Sequence, residues 1–287
     1  MTGRDRRRAA GFAVVAAAMA AVAVAVAVAV AVAMVVVTAA ATVAAATVTA
    51  AVADPRRSGA DSMSTALQQM QRDDSQNPAM LWVADGAAAW QARPAGGNAR
   101  SCAGCHGAAA ESMRGVAVRY PAWDSRLARP ITLQQRIEQC RTRHQAQPPL
   151  ALESKPLLQL ETYVAHQSRG LALAPPDDRR LADWRARGAA LYRQRIGQLN
   201  LSCSQCHDQR AGERLGGAPI PQAHPTGYPL YRLEWQAVGS LQRRLRNCSI
   251  GVRAEPFDYG SDEAVQLELH LAERARGMLL ETPAVRP

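Results

Sequence analysis

Two short strings combine cysteine and histidine at a spacing that has a chemical meaning. Residues 102–106 read Cys-Ala-Gly-Cys-His, and residues 203–207 read Cys-Ser-Gln-Cys-His. Cys-x-x-Cys-His is the spacing of c-type haem attachment, in which each cysteine forms a thioether and the histidine becomes the proximal iron ligand. The strings therefore predict two covalently bound c-type haems, with four attachment cysteines and two iron-ligating histidines: Cys102, Cys105, Cys203, Cys206, His106 and His207.

A zinc site or a disulfide would use the same residue types as these strings. A structural zinc ion takes four ligands, whereas the two strings together offer six candidates. Because each string is complete in itself, the pattern favours haem over zinc.

Each string is followed by one further cysteine that could reach iron from the opposite side. Cys140 follows the first string and Cys248 follows the second, each within the same copy as its string. The usual alternative ligand is methionine, but Met113 comes too soon after the first string and Met278 lies near the end of the chain. We therefore predict histidine–cysteine ligation at both irons. A disulfide between Cys140 and Cys248 is the competing interpretation, since exported proteins can form one.

Cys248 is also a candidate reactive sulfur, because a cationic side chain precedes it at helical spacing. Arg244 lies one turn earlier on the same helix face, where a guanidinium can hold a small oxyanion. Arg253 follows and adds positive charge. A haem propionate or solvent could equally account for either arginine, and Arg136 occupies the position equivalent to Arg244 before the other distal cysteine.

The two halves of the chain repeat one another well beyond the haem strings. Tyr120-Pro121, Leu133-Gln134 and Cys140 recur at one constant offset as Tyr228-Pro229, Leu241-Gln242 and Cys248. Self-similarity of this length indicates tandem duplication. The predicted organisation is a leader over residues 1–53, a polar extension over 54–79, and two domains over 80–172 and 173–287.

Each copy reads as three helices arranged around its haem string. Leading helices are predicted over residues 84–92 and 181–195, which are rich in alanine, leucine and arginine. Apolar positions at helical spacing mark a middle helix carrying the distal cysteine and a closing helix, which Gly170 or Gly277 is expected to end. No run of alternating apolar residues predicts a strand, so the predicted fold class is all-α.

The N-terminal leader predicts export. Residues 9–53 carry no charged side chain and follow a cluster of four arginines, which is typical of a signal peptide, here cleaved after Ala53, or of a retained anchor. Removing the leader leaves 30 basic and 23 acidic side chains, a net charge of +7. These charges are scattered, so the pattern does not favour nucleic-acid binding. The expected location is the periplasm.

The combined motifs resemble a known family. The two haem strings, the two later cysteines, Tyr-Pro-Leu-Tyr-Arg at 228–232, and the run from Arg253 to Ser261 are similar to SoxA, the dihaem subunit of the SoxAX cytochrome. The resemblance extends from about Met80 to the C-terminus. It implies two cytochrome c-like helical domains and an L-cysteine S-thiosulfotransferase of thiosulfate oxidation.

The resemblance also implies partners and residue roles. Cys140 and Cys248 would be distal haem ligands, Cys248 would in addition be the catalytic cysteine, carried as a persulfide, and Arg244 would bind substrate. Thiosulfate would be joined to a cysteine of the sulfur carrier SoxYZ, and electrons would leave through a monohaem SoxX subunit in a heterodimer. Two alternatives are a dihaem electron carrier without sulfur chemistry and a dihaem peroxidase.

Overall fold

The computed structural model describes residues 18–35, 54–95 and 99–287 and divides the chain into two units, Met1–Pro55 and Arg56–Pro287. In the first unit, helix α1 spans Ala18–Val35, has a mean hydropathy of 2.7 and contains no buried residue. It is long and apolar enough to cross a bilayer, and a signal sequence has the same properties. The predicted cleavage point at Ala53 and the arginine cluster before α1 lie outside the described residues.

Helices dominate the second unit. They are α2 (Thr65–Arg72), α3 (Met80–Gln91), α4 (Cys102–His106), α5 (Ala109–Ser112), α6 (Leu133–His144), α7 (Lys155–His166), α8 (Ala182–Arg193), α9 (Cys203–His207), α10 (Leu241–Gly251) and α11 (Asp262–Arg274). Short 3-10 helices cover Gly59–Ser62, Ala117–Arg119 and Arg179–Leu181. The predicted leading, middle and closing helices correspond to α3, α6 and α7 in the first copy and to α8, α10 and α11 in the second.

Short strands of two or three residues accompany the helices, and the sequence analysis did not predict them. They are β1 (Ala122–Asp124), β2 (Arg129–Ile131), β3 (Arg214–Leu215), β4 (Ala218–Pro219), β5 (Leu230–Arg232), β6 (Ala237–Gly239) and β7 (Ala284–Arg286). β1–β2 and β3–β4 are antiparallel pairs, whereas β5 lies between antiparallel β6 and parallel β7. Strands this short cannot show the alternation by which a strand is recognised in sequence.

In each copy the leading helix packs closely on the closing helix at a buried glycine. A Cβ atom added at Gly86 of α3 would lie 2.1 Å from the carbonyl oxygen of Gln159 on α7. One added at Gly188 of α8 would lie 2.0 Å from the carbonyl oxygen of Gln266 on α11. Both helix pairs therefore approach to a distance that only glycine permits.

The middle helix follows a hairpin in the same way in both copies. β1–β2 leads into α6, whose N-cap Thr132 accepts a hydrogen bond from the Gln135 N–H. β5–β6 leads into α10, whose N-cap Ser240 accepts one from the Arg243 N–H. Such caps satisfy backbone donors that a helix start leaves unpaired, so the hairpin and the cap together determine where each middle helix begins.

The closing helices end earlier than the sequence analysis predicted. α7 ends at His166 and α11 at Arg274, before the glycines that were expected to stop them. Gly170 and Gly277 instead lie in the turns beyond, with φ values of 80° and 83°. Glycine adopts this left-handed conformation without the steric cost that other residues incur, so these residues shape the turn rather than cap the helix.

The extension over residues 54–79 is held by polar contacts to both copies. Nη1 of Arg56 donates to the carbonyl oxygens of Arg274, at 3.1 Å, the last residue of α11, and of Arg276, at 2.8 Å, just beyond it. Asp74 forms an ion pair with Arg169 at 2.7 Å, just after α7. The sequence analysis predicted only a polar extension here, and the structure includes it from Arg56 onward in the second unit.

A cavity of about 100 Å³ lies between the copies, lined by equivalent residues from each. Glu161 on α7 and Glu268 on α11 both face it, together with Glu153. Gln134 Nε2 donates to Glu161 at 2.7 Å and to Glu153 at 3.0 Å. Burial, reinforced by the charge of Glu153, raises the pKa of Glu161 well above its usual value and that of Glu268 to about 8.

Candidate haem centres and active site

Each attachment string forms a one-turn helix started by a serine N-cap. Ser101 Oγ accepts from the Gly104 N–H at 2.9 Å before α4, and Ser202 Oγ accepts from the Gln205 N–H at 3.3 Å before α9. Within one turn, residues three apart lie on the same face, so both cysteines of a string can reach one porphyrin edge.

Apolar side chains lie beside each string. Cys102 packs against a cluster that contains Trp90, Leu133 and Ile137. Cys203 packs against a cluster that contains Leu241, Leu245 and other apolar residues. The donor set and the apolar surroundings both fit a covalently attached haem, which needs two thiols, a histidine and an apolar surface.

The second histidine is oriented by the loop that follows it. His207 Nδ1 is 2.7 Å from the carbonyl oxygen of Pro221, to which it donates, leaving Nε2 free to bind iron. The loop is in turn tied to the extension, since the Arg57 N–H donates to Gln222 Oε1 at 2.6 Å and His224 Nδ1 donates to the Arg57 carbonyl at 2.9 Å. These positioning contacts join distant segments and leave no local signal in the sequence.

The first histidine has different surroundings. The His106 ring lies 5.7 Å from the Trp90 ring, centroid to centroid. Trp90 Nε1 donates to the Gly107 carbonyl oxygen at 3.1 Å, fixing the residue next to the histidine. The two predicted proximal ligands are therefore supported by different contacts.

The structure brings each later cysteine to its own attachment string. Cys140 on α6 lies close enough to Cys102 and Cys105 for their charges to interact, and Cys248 on α10 lies similarly close to Cys203. All six cysteines are described, and all are unpaired. The alternative disulfide between Cys140 and Cys248 is not formed in this structure.

The two arginines that precede these cysteines differ in their partners. Arg136 forms an ion pair with buried Asp124 at 3.0 Å and donates to the Tyr120 hydroxyl at 3.3 Å. Among the described residues no carboxylate forms an ion pair with Arg244, whose charge instead acts on His207 and Tyr228. Burial raises the pKa of Tyr228 to about 12, and Arg244 opposes that rise.

Further arginines of the second copy lie on α10 or just after it. The guanidinium carbon of Arg243 lies 4.3 Å from the Trp235 ring centroid, and that of Arg246 lies 4.7 Å from the Tyr259 ring centroid. Arg253 is exposed, and its backbone carbonyl accepts from the Gln198 N–H at 3.2 Å. No described contact joins Arg253 to Cys248, so its predicted contribution to the site has no structural support beyond its charge.

Comparison with known proteins identifies the family to which this architecture belongs. The family model described as SoxA/TsdA, cytochrome c domain, matches residues 85–173 and again residues 187–280. This chain belongs to the SoxA/TsdA cytochrome c family. The SoxA resemblance and the two cytochrome c domains predicted from sequence are confirmed, and a cytochrome c domain implies covalently bound haem iron.

Named relatives narrow the position within the SoxA/TsdA family. The chain is 36% identical to the L-cysteine S-thiosulfotransferase subunit SoxA of Pseudaminobacter salicylatoxidans, over 76% of this chain and 77% of that protein. It is 32% identical to the subunit of the same name from Rhodovulum sulfidophilum, over 81% of each chain. The crystal structure of SoxXA from P. pantotrophus superposes with a TM-score of 0.77 at 31% identity, covering 81% of this chain and 87% of that one.

Proposed function

We propose that this chain is the catalytic SoxA subunit of an L-cysteine S-thiosulfotransferase, which joins thiosulfate to a cysteine of a SoxYZ-like carrier. Curated relatives of that name match over most of both chains. The observation that carries the proposal is Cys248 on the same helix as Arg244, a cation that pairs with no described carboxylate.

Two haems are proposed, one at each attachment string. Cys102, Cys105 and His106 would hold the first, and Cys203, Cys206 and His207 would hold the second. Cys140 and Cys248 would be their distal ligands, in keeping with their placement beside the strings. When bound, a haem would supply a one-electron acceptor for the reaction.

The chain's own residues account for binding and orientation in the reaction. Arg244 holds the oxyanion end of thiosulfate, so that the outer sulfur lies against the sulfur at Cys248. The carrier thiol then forms a sulfur–sulfur bond to the thiosulfate group and loses its S–H bond. One proton goes to solvent, and two electrons pass one at a time to the partner cytochrome.

A monohaem SoxX-like cytochrome is the proposed partner in a heterodimer. The structural likeness to SoxXA from P. pantotrophus supports this assignment. Helix α1 supports export as a signal peptide and a periplasmic location.

The two domains, with the predicted boundaries at 80–172 and 173–287, are proposed products of an internal duplication. The equivalent glycine contacts at Gly86 and Gly188 support this origin, as do the equivalent hairpins and N-caps before the middle helices.

Replacement of each distal cysteine by methionine tests the catalytic assignment. Cys248→Met should abolish thiosulfate conjugation, measured as carrier modified in intact-mass spectra, while the protein still takes up electrons from a chemical donor. Cys140→Met is the matched variant, and it should retain conjugation because Arg136 beside it is already neutralised. If Cys248→Met conjugates thiosulfate as well as the parent, Cys248 is not the catalytic cysteine; if the parent itself takes up electrons but conjugates no thiosulfate, the chain is an electron carrier.

A further inference from the structure

Asp124 and Arg232 occupy one equivalent position in the two copies and carry opposite charges. Each is the third residue of the first hairpin strand, in β1 and β5 respectively, and the offset between them is the one that relates Cys140 to Cys248. Asp124 pairs in register with Arg129 on β2, and Arg232 pairs with Ala237 on β6. This position after the shared Tyr-Pro turn therefore holds an anion in one copy and a cation in the other.

In the first copy this position neutralises the arginine of the middle helix. The side chain of Asp124 is 3% exposed, and its Oδ2 lies 3.0 Å from Arg136 Nη1. The backbone N–H groups of Arg126 and Leu127 also donate to the carboxylate, each at 2.9 Å. Arg136, whose side chain is 34% exposed, is thus neutralised by a buried carboxylate and offers little attraction to an external anion.

In the second copy the same two positions place two cations together. Burial lowers the pKa of the Arg232 guanidinium, and the positive charge of nearby Arg244 lowers it further. The side chain of Arg232 is 17% exposed, and its Nη2 forms its one described ion pair with the largely exposed Glu234, at 2.9 Å. Its Nε is buried without a hydrogen-bond partner among the described residues.

We propose that Arg232 is a second substrate-binding residue, which with Arg244 forms a two-cation site for the dianionic oxyanion end of thiosulfate beside Cys248. This inference rests on the proposed function and deepens it. Two guanidinium groups match a doubly charged tetrahedral group better than one, because each can donate paired hydrogen bonds to its oxygens. The pair therefore selects dianions over singly charged anions of similar size.

A haem propionate does not account for the extra cation. Haem carries the same propionates wherever it is attached, yet the corresponding position in the first copy holds Asp124, paired to Arg136. The additional charge is specific to the copy that contains Cys248. A dedicated anion site in that copy explains the difference.

The test compares Arg232 variants in the haem-loaded protein with its partner cytochrome and carrier. Arg232→Gln should raise the KM for thiosulfate about tenfold or more, with kcat changed much less, because a charged hydrogen-bond donor to the substrate is lost. Arg232→Lys should recover part of the loss. Arg232→Asp should weaken binding more than Arg232→Gln does, because the new carboxylate would neutralise Arg244 as Asp124 neutralises Arg136. Arg214→Gln, an exposed position on β3, is the charge-matched control and should change KM less than about twofold.

Calorimetric titration with sulfate, an unreactive dianion, gives a readout independent of turnover. The parent should bind sulfate, and Arg232→Gln should bind it at least about tenfold more weakly, with the reduction potentials of both haems unchanged. The proposal is overturned if Arg232→Gln leaves KM and sulfate affinity as in Arg214→Gln, or if it shifts the second haem potential while KM stays constant, which would mark a propionate partner. Failure of the parent itself to conjugate thiosulfate would instead reject the proposed function.

Discussion

Replacing Gly188 by alanine sets two physical effects against each other. Gly188 lies in the interior of α8, where alanine is favoured over glycine by about 1 kcal/mol from helix propensity alone. The added Cβ, however, would lie 2.0 Å from the Gln266 carbonyl oxygen and 2.9 Å from the His270 Cβ. Real Cβ atoms essentially never approach within 3.0 Å, so α8 and α11 must separate by about 1 Å.

That separation disturbs the close contact between α8 and α11 in the second copy. Overpacking of a core costs about 1–3 kcal/mol, and a clash with backbone cannot be relieved by rotating a side chain. After subtracting the gain in helix propensity, we expect a net loss of about 1 kcal/mol, or roughly 2–4 °C in apparent melting temperature for a folded unit of this size. Thermal unfolding of the haem-loaded protein by circular dichroism measures the change.

The matched variants make the result decisive. Gly86→Ala should lower the melting temperature similarly, since its Cβ would lie 2.1 Å from the Gln159 carbonyl oxygen. Gly217→Ala should leave it nearly unchanged, because no described atom lies within 4 Å of that position. If Gly188→Ala raises the melting temperature, propensity outweighs packing and the inferred helix contact is refuted.

Three further predictions concern the buried acids, the extension and the haem count. The pKa of Glu268 is about 8 in the folded chain against 4.5 ordinarily, so between these pH values the folded state keeps a proton that the unfolded state loses. The free energy of unfolding should therefore fall as pH rises from about 5 to 8. Glu268→Gln should flatten that decline in urea titrations, and an unchanged dependence on pH would contradict the prediction. His224→Ala should perturb the electron paramagnetic resonance signal of the second haem alone. His224→Asn, whose amide can still donate to the Arg57 carbonyl oxygen, should restore the signal. Equal changes at both haems would argue against a role of His224 in positioning the loop that follows His207. Intact mass should show two attached haems in the parent and one after Cys203→Ser combined with Cys206→Ser, and an unchanged mass would exclude attachment at that string.

The sequence predicts most of what depends on local spacing. The Cys-x-x-Cys-His strings identify four cysteines that the structure places on one-turn helices, and the helix periodicity before Cys140 and Cys248 predicts α6 and α10. The constant offset between matching residues predicts that the two copies share one order of elements. These features are visible because the chemistry and the periodicity each act over a few residues.

Features that depend on distant contacts were missed. The closing helices end before Gly170 and Gly277 because the turns beyond α7 and α11 begin earlier, and nothing in the local composition marks that point. The role of the extension arises from hydrogen bonds such as that from Arg56 to Arg274, 218 residues away. Arg232 did carry a signal, since aligning the copies places it opposite Asp124, but its meaning required knowing that Asp124 contacts Arg136.

The parallel pairing of β5 with β7 has a consequence for how the molecule is made. β7 spans Ala284–Arg286, far beyond β5 in the chain, so this sheet is complete only after two distant segments have met. Pairings between segments far apart in sequence also form slowly. Truncation of the chain before Ala284 would therefore interfere with maturation of the half that carries Cys248, although both haem attachment strings would be intact.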